Sequence, residues 1–383
     1  MARTRKKLAV NDRGFALATV ILALVVIGAI AAGGAFVATQ EQRAGDSSRR
    51  LAQAFGIAEG TGAELMTAWD AQSYSSRNNY PNDSVLISTT NSAQGTGVYG
   101  ASIFKLNPQI YFLDITGTDT RSRTWRDGGA RQRVGMLVRV VPLQLDMKAA
   151  LTVGGPVVFG GGNVFVKGQD TPPAGWSGCP PADTTLGGVR AKNAGDVSNS
   201  QGQVTGSPAV IVDPTMDSTT FINYGSTNYN KLAAQADVTL PPATYTPTPS
   251  VTAGVCQTAV TTNWGDGNTP ANPCGRLWKI VHVTGNLTLG NGQGQGVLLV
   301  DGDLNMTGNF NFYGLIVVRG AFKTSGAGVS RVYGNLMAQS IDLAQTAFMG
   351  DAVINYSKCA IERAMEGSAS PSFARSRGWV ELL

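Results

Sequence analysis

The feature that most constrains this chain is an uncharged stretch near its N-terminus. No charged residue occurs from Phe15 to Thr39, a stretch that reads FALATVILALVVIGAIAAGGAFVAT. A helix rises ~1.5 Å per residue, so these roughly 25 residues would cross the ~30 Å hydrocarbon core of a bilayer. A soluble helix of this length normally carries a polar stripe, and this stretch has none. The sequence therefore predicts a transmembrane helix over 15–40 that continues as a helix over 41–70.

Most of the net charge lies just before this stretch. Residues 1–14 hold five Lys or Arg side chains and one Asp, whereas the whole chain has a formal charge of +5. Because Lys and Arg stay on the cytoplasmic side, we expect the N-terminus inside the inner membrane and the bulk of the chain outside. The nearly neutral remainder lacks the basic footprint of a nucleic-acid-binding protein, so no nucleic acid partner is expected. A cleaved secretory signal is the alternative, although its apolar region would be about 7–15 residues long.

The junction between the basic leader and the apolar stretch has a specific pattern. In the sequence KKLAVNDRGFALATVILALVVIGA the basic leader ends in Gly14, and Phe15 opens the apolar stretch. This resembles the class III signal of type IV pilins and type II secretion pseudopilins. The resemblance implies a leader over 1–14 that a prepilin peptidase cuts between Gly14 and Phe15. Major pilins carry Glu as the fifth mature residue, and this chain has Thr19. Absence of that Glu is usual in PilX-type minor pilins and in tip pseudopilins.

The predicted helix continuation extends the resemblance. Leu51 and Phe55 share one helical face by their spacing. The segment AFGIAEGTG around Phe55 and Glu59 is similar to the PilX N-terminal motif. The resemblance covers residues 8–70 and implies helix packing through Thr19, Phe55 and Glu59. It also implies other pilins or pseudopilins, and inner-membrane pilus assembly machinery, as partners.

The rest of the chain is rich in strand and turn signals. The runs ASIFKL, QIYFLDITG and RVGMLVRVVPLQLDM predict a small antiparallel sheet within 71–148, packed on the helix. Beyond it, the segments GNLTLG, GDLNMTG, GAFKTSG and GNLMAQS open at glycines 285, 302, 320 and 334. Short strands with Gly-Asn or Gly-Asp corners at a near-constant period are typical of a solenoid.

We therefore predict a mostly β fold with a long N-terminal α-helix. A pilin-like helix and sheet would be followed by a Gly-rich domain over 149–360, in the form of a short right-handed β-helix. An irregular β-sandwich with Gly-rich turns is the alternative. Residues 361–383 are predicted to form a C-terminal tail.

A segment over 169–279 interrupts the repeat. It is rich in Pro, Thr, Asn and Gly and holds three of the four cysteines, which is typical of a long surface excursion. Four cysteines outside the membrane are compatible with two disulfides in three connectivities. We favour Cys256–Cys274, because the stretch between them is short and loop-like, which leaves Cys179 with Cys359.

No residue pattern predicts an active site. The single histidine, His282, lies in the strand-like run WKIVHVTG, and Asp301, Asp303 and Asp351 appear scattered along the repeat. No zinc-protease motif, phosphate-binding loop or ligand-spaced cluster of His and Cys occurs. We expect no enzyme activity, no metal and no cofactor.

The sequence favours a structural role. The preferred hypothesis is a minor pilin-like subunit of a type IV pilus or a related pseudopilus, which primes assembly or lies at the tip. The alternatives are a tip adhesin that binds glycans or surfaces through the excursion, and a membrane-anchored β-helical scaffold.

Overall fold

A long helix leads into a large β-rich region whose described strands form sheets of six, eleven, seven and two strands. The computed structural model describes residues 13–75, 77–92, 97–120, 130–141, 145–159, 164–179, 182, 184–198, 203–325, 328–339, 346–348, 351–366, 370–374 and 379–382. The fold class predicted from the sequence, a mostly β protein with a long N-terminal helix, is confirmed.

Helix α1 (Arg13–Thr67) joins the apolar stretch and its continuation in one uninterrupted element. Its 55 residues extend roughly 80 Å at ~1.5 Å per residue. Side chains from 17 to 49 are all exposed, whereas Ala54, Ile57 and Ala58 are buried. Of the predicted face, Ala58 is buried and Phe55 is half-buried, whereas Leu51 is 41% exposed.

The last turns of α1 are buried because an antiparallel sheet packs on them. Helix α2 (Ala71–Ser75) leads into this sheet, which has its strands in chain order. The strands are β1 (Val85–Asn91), β2 (Gly97–Asn107), β3 (Ile110–Asp119) and β4 (Arg131–Val141). They lie inside the 71–148 segment predicted for such a sheet.

Small residues let this sheet approach the helix closely. A Cβ added to Gly117 on β3 would lie 2.8 Å from the backbone nitrogen of Ala58 and closer still to the carbonyl oxygen of Ala54. A Cβ added to Gly62 on α1 would lie 2.8 Å from Cε of Met136. A side chain at Gly117 would therefore push the helix and the sheet apart, whereas one at Gly62 would displace the flexible end of the Met136 side chain.

The next twenty strands of the described chain form the solenoid and one hairpin. They are β5 (Ala149–Val153), β6 (Val157–Phe159), β7 (Val164–Lys167), β8 (Gly187–Ala191), β9 (Val197–Ser198), β10 (Val204–Thr205), β11 (Val210–Val212), β12 (Val238–Leu240), β13 (Ala243–Tyr245), β14 (Val251–Thr252), β15 (Val255–Cys256), β16 (Lys279–Val283), β17 (Leu287–Leu289), β18 (Gly292–Val300), β19 (Leu304–Met306), β20 (Phe310–Val318), β21 (Phe322–Thr324), β22 (Val329–Ala338), β23 (Thr346–Phe348) and β24 (Asp351–Tyr356). Of these, β14 and β15 form a separate two-stranded hairpin.

Successive strands of the coils belong alternately to two parallel sheets. One sheet contains β12, β16, β18, β20 and β22 in spatial order, and the other contains β13, β17, β19, β21 and β23. Each coil contributes one strand to each sheet, so the apolar inward side chains form one continuous core. The right-handed sense of the coil stays a prediction.

A glycine column gives the true register of the repeat. Gly296 pairs with Gly314 and Gly314 with Gly334, and all three have positive φ. The predicted equivalence of glycines 320 and 334 is therefore wrong. Gly320 stacks instead on Gly302, with 3.1 Å between its nitrogen and the carbonyl oxygen of Gly302. The error arose because GNLMAQS begins inside β22, whereas GAFKTSG begins at a corner.

The predicted excursion over 169–279 is only partly outside the repeat. Strands β12 and β13 form the coil at one end of the stack. Strands β8 and β9 lie at the other end, beyond β5 and β6, which stack on the last coils β22 and β23. Spatial order thus departs from chain order, because parallel pairing requires a matching register and not adjacency along the chain.

The chain finally returns to the antiparallel sheet. Helix α4 (Lys358–Glu366) packs on the solenoid, and β25 (Ser370–Phe373) and β26 (Trp379–Leu382) both pair with β4. The prediction of a tail over 361–383 is therefore wrong. Without these strands, the outer edge of β4 would expose a row of backbone hydrogen-bonding groups.

Candidate functional site: the exposed helix and the solenoid contacts

The exposed half of α1 is the most unusual surface of the described chain. By length and composition, this is one helix that could cross a membrane. Leu17, Ile30 and Phe36 are 65–70% exposed along it. Exposing apolar area to water costs about 25 cal/mol per Å². An apolar segment of this size therefore needs lipid or other apolar helices around it.

The predicted processing and packing residues lie along this helix. Gly14 and Phe15 belong to its first turn, while residues 1–12 of the predicted leader lie outside the described residues. Thr19 is exposed. Phe55 is half-buried against the core of the antiparallel sheet, whereas Glu59 is exposed. The three predicted packing residues therefore do not form one contact within this chain.

The four cysteines form two disulfides. Cys179 bonds to Cys359 and Cys256 bonds to Cys274, which are the two pairs favoured from the sequence. The first pair spans 180 residues and ties the excursion to α4. The second pair spans 18 residues and lies beside the amide of Asn263, whose Nδ2 is 3.4 Å from both sulfur atoms.

Stacked aromatic rings lie next to the Cys179–Cys359 disulfide. The ring of Trp176 stacks on Tyr313 at 5.3 Å between centroids, and Tyr313 stacks on Tyr333 at 5.0 Å. The guanidinium of Arg363 lies 4.8 Å from the Trp176 centroid, a cation–π distance. The Trp176 indole also donates to the carbonyl of Gly267 at 2.9 Å. These contacts, with the disulfide, hold the start of the excursion on the solenoid.

His282 is part of a polar cluster that sequence reasoning missed. Its Nε2 lies 3.0 Å from Oδ2 of Asp301. The hydroxyl of Tyr229 donates to Oδ1 of Asp301 at 2.8 Å, and Arg319 lies 3.9 Å from the same oxygen. Burial is the main cause that raises the pKa of Tyr229, so this phenol stays neutral and acts as a donor.

The contact between His282 and Asp301 was not predicted from the sequence. The signal in the sequence was the spacing, because Asp301 follows His282 by 19 residues and Arg319 follows Asp301 by 18, about one coil each. Tyr229 could not have been placed, since it comes from the excursion. Asp303 has another role: its Oδ1 accepts from the backbone of Ala321 at 2.8 Å, which caps a corner as expected for a turn.

The cluster fastens a segment that we name the strap, residues 213–237. The strap contains helix α3 (Tyr229–Ala234) and buries Met216, Phe221 and Leu232 in the solenoid core cluster. At one end Asp213 accepts from Nε of Arg190 at 3.0 Å. Hydrogen bonds from Thr215 and Arg190 lower the pKa of Asp213 to about 2. At the other end Asp237 accepts from the backbone of Ile280 at 2.7 Å.

These contacts describe a structural clamp. Tyr229, His282 and Arg319 all converge on Asp301, and each approaches from a different element. Among the residues that the structure describes, no group of three or more His, Cys, Asp or Glu side chains could hold a metal ion. The geometry therefore explains how the strap is held on the solenoid.

Known proteins offer few matches to this chain. No protein family matches the sequence, and no curated protein matches it. A solved structure that resembles it is the competence-associated pilin ComZ from Thermus thermophilus, with 12% sequence identity. The match covers 88% of this chain and 97% of that chain, with a TM-score of 0.21. At this TM-score the two folds do not superpose as whole chains, so the likeness carries no functional conclusion.

Proposed function

We propose that this chain is a minor pilin-like structural subunit of a type IV pilus or a related secretion pseudopilus. One observation carries the proposal: a single helix, α1, has an exposed apolar segment long enough to cross a membrane, and one face of its last turns is buried under an antiparallel sheet. The exposed half would first lie in the inner membrane. It would then pack against the corresponding helices of other pilins or pseudopilins.

The residue pattern at the start of α1 supports this role. The basic leader, Gly14 and Phe15 resemble a prepilin peptidase site, and Thr19 replaces the Glu of major pilins. In those pilins the Glu pairs with the N-terminal amine of a neighbour, and a buried amine without a partner is costly. A subunit at the filament tip has no neighbour above it that needs this carboxylate. We therefore assign the chain to assembly priming or to the tip.

The solenoid is assigned to the outer surface of the assembly. It follows the helix and the sheet in the chain, and its own core and strap contacts leave it independent of the membrane half of α1. The adhesin alternative would use this outer body as well, and no described contact favours a particular ligand for it.

Processing is the experiment that tests the proposal. The intact mass of the membrane-extracted protein should place residue 15 at the N-terminus, with or without one added methyl group. Gly14→Arg should block this cleavage and leave membrane insertion unchanged, because the apolar stretch is untouched. A mature chain that begins just after the apolar stretch, near residue 39, would instead identify an ordinary secreted protein.

A further inference from the structure

The solenoid is inserted into the antiparallel sheet at a single point. Strand β4 ends at Val141, and β25 begins at Ser370. These two residues are paired across the antiparallel strands, so their Cα atoms lie about 4.5–5.5 Å apart. A turn of two residues is enough to join antiparallel strands at such a point. This chain has residues 142–369 there instead, and we name them the insert.

The insert and the helix–sheet unit have separate sheets and separate cores. The six-stranded sheet consists of β1 to β4, β25 and β26, and no described strand of the insert pairs with it. The apolar core cluster of the insert extends from Ala150 to Met365, and that of the helix–sheet unit from Ala58 to Val140. No described residue belongs to both clusters. Close termini and a separate core are the features that let one domain be inserted into another.

The covalent cross-links are confined to the insert. Cys179–Cys359 and Cys256–Cys274 each join two of its residues, and the chain has no other cysteine. A disulfide stabilises a fold by restricting the unfolded segment that it closes. Loss of these bonds should therefore weaken the insert and leave the helix–sheet unit unchanged.

Polar contacts join the two units. Helix α2 lies against α4, and the guanidinium of Arg276 donates to Oδ1 of Asn78 at 2.7 Å. The charge of Glu366 interacts with that of Lys105 across the junction. Burial raises the pKa of Glu366 and lowers the pKa of Lys105, so desolvation opposes the charged form of each. Because such a hydrogen bond and such an ion pair add little net stability, these contacts do not join the two cores into one cooperative unit.

We infer that the insert folds independently, and that the helix–sheet unit enters the assembly whether or not the insert is folded. The helix–sheet unit then acts as a carrier, and the insert is the domain that it displays. The statement about assembly rests on the proposed function, whereas the statement about folding does not.

The carrier does not need the insert for its own core. Helix α1 and strands β1 to β4 precede the insert in the chain, and so do all the described residues of the helix–sheet core cluster. Strands β25 and β26 follow the insert, and an unfolded insert would connect them to β4 through a long flexible loop. The entropy cost of closing a loop grows only slowly with its length. The core that holds α1 on the sheet is therefore expected to persist when the insert unfolds.

Unfolding of the full chain, followed separately in the two units, tests the statement about folding. The purified chain in detergent would be pulse-labelled by hydrogen exchange at increasing urea concentrations. Peptides from β3 report on the carrier, and peptides from β20 report on the insert. One variant combines Cys179→Ala with Cys359→Ala and perturbs the insert. The matched variant is Gly117→Ala, which perturbs the contact of β3 with α1.

We expect each variant to change one unit only. The cysteine variant should lower the urea midpoint of β20 by about 2 M and leave that of β3 unchanged. Gly117→Ala should lower the midpoint of β3 by about 1 M and leave that of β20 unchanged. Midpoints that shift together in either variant, or that shift in neither, would overturn the inference.

Filament entry tests the statement about assembly. Gly314→Ala would be added to the cysteine variant in cells that build the filament, and trypsin sensitivity of the insert in spheroplasts would show that it has unfolded. The ratio of this chain in sheared filaments to the membrane fraction should equal that of the parent. A ratio that falls to background while β3 stays protected from exchange would overturn the inference. If the parent itself is absent from filaments, the proposed function fails, and the urea midpoints still decide whether the insert folds independently.

Discussion

The solenoid and the helix–sheet unit of this protein differ in how much apolar surface they leave exposed. The solenoid ends its sheets in short, proline-flanked strands, and the strap covers apolar side chains on its outer face. The helix–sheet unit leaves a membrane-length apolar helix exposed. Exposed apolar surface is where proteins associate with lipid or with other chains. In the described part of the chain, the surface suited to such contacts therefore lies on α1, whereas the solenoid has a covered core of its own.

Removing a disulfide is the change expected to lower the free energy of unfolding the most. Replacing Cys179 and Cys359 together by Ala should reduce the free energy of unfolding by about 5 kcal/mol in the chain-entropy model, because the bond closes a 180-residue loop. The corresponding change at Cys256 and Cys274 should cost about 3 kcal/mol, since that loop has 18 residues. Urea unfolding of the full chain in detergent measures both. Equal losses would show that loop length does not govern their contribution.

A substitution in the glycine column of the solenoid is expected to have the next-largest effect on stability. Gly314 has φ +131°, and a Cβ there would lie 3.0 Å from Cβ of Ala364 and closer still to the carbonyl oxygen of Gly296. Gly314→Ala should therefore destabilise the chain by about 3 kcal/mol through strain and overlap. Gly195→Ala is the control, because no atom lies within 4 Å of its added Cβ. Similar thermal midpoints for the two variants would contradict the proposed register of the coils.

A side chain added at the helix–sheet contact should also lower stability, but by less than one added in the glycine column. Gly117→Ala would place a methyl group against the backbone of α1 and should cost about 2 kcal/mol. Gly100→Ala, on the neighbouring strand, should be nearly neutral, because its added Cβ has ordinary contact with Thr89 at 3.8 Å. Hydrogen exchange of residues 54–65 of α1 measures the effect. Unchanged protection in the Gly117 variant would show that the helix is not held by this close approach.

The smallest expected effect is a pH dependence at the junction of the two units. Burial, the largest cause, raises the pKa of Glu366, and the nearby Lys105 and Arg363 oppose the shift. The folded state therefore binds this proton more tightly than the unfolded state. Stability is highest below the unfolded pKa and falls as pH rises through the raised pKa.

Glu366→Gln removes this charge and should stabilise the chain at pH 7. Near pH 4, where the carboxyl is largely protonated in the folded state, the variant and the parent should differ less. Thermal midpoints at the two pH values check this prediction. A variant that is less stable than the parent at pH 7 would indicate that the attraction of Lys105 and Arg363 outweighs the cost of burial.

Local patterns in the sequence predicted the parts of this fold that depend on neighbours along the chain. The uncharged stretch indicated the exposed half of α1, and alternating strands indicated β2, β3 and β4. Long-range pairing was missed because its register depends on distant residues. Leu336 pairs with Leu151, far earlier in the chain, and β25 and β26 return to β4. The contact of Tyr229 with Asp301 belongs to the same class.

The candidate functional site could likewise be predicted only where its residues are neighbours along the chain. The pattern at Gly14, Phe15 and Thr19 is local and could be read from the sequence. The convergence of Tyr229 and Arg319 on Asp301 could not, because it appears only when the strap and two coils are placed in space.

Filament composition tests the assignment to a filament subunit most directly. Filaments would be sheared from producing cells, purified, and probed with an antibody to this chain. We predict that the parent chain and the His282→Ala variant both co-purify with the filaments, because assembly depends on α1 and the strap cluster is only a clamp. A chain that stays entirely in the inner membrane while filaments form would contradict the assignment. So would a folded His282→Ala variant that behaves like a deletion of the gene.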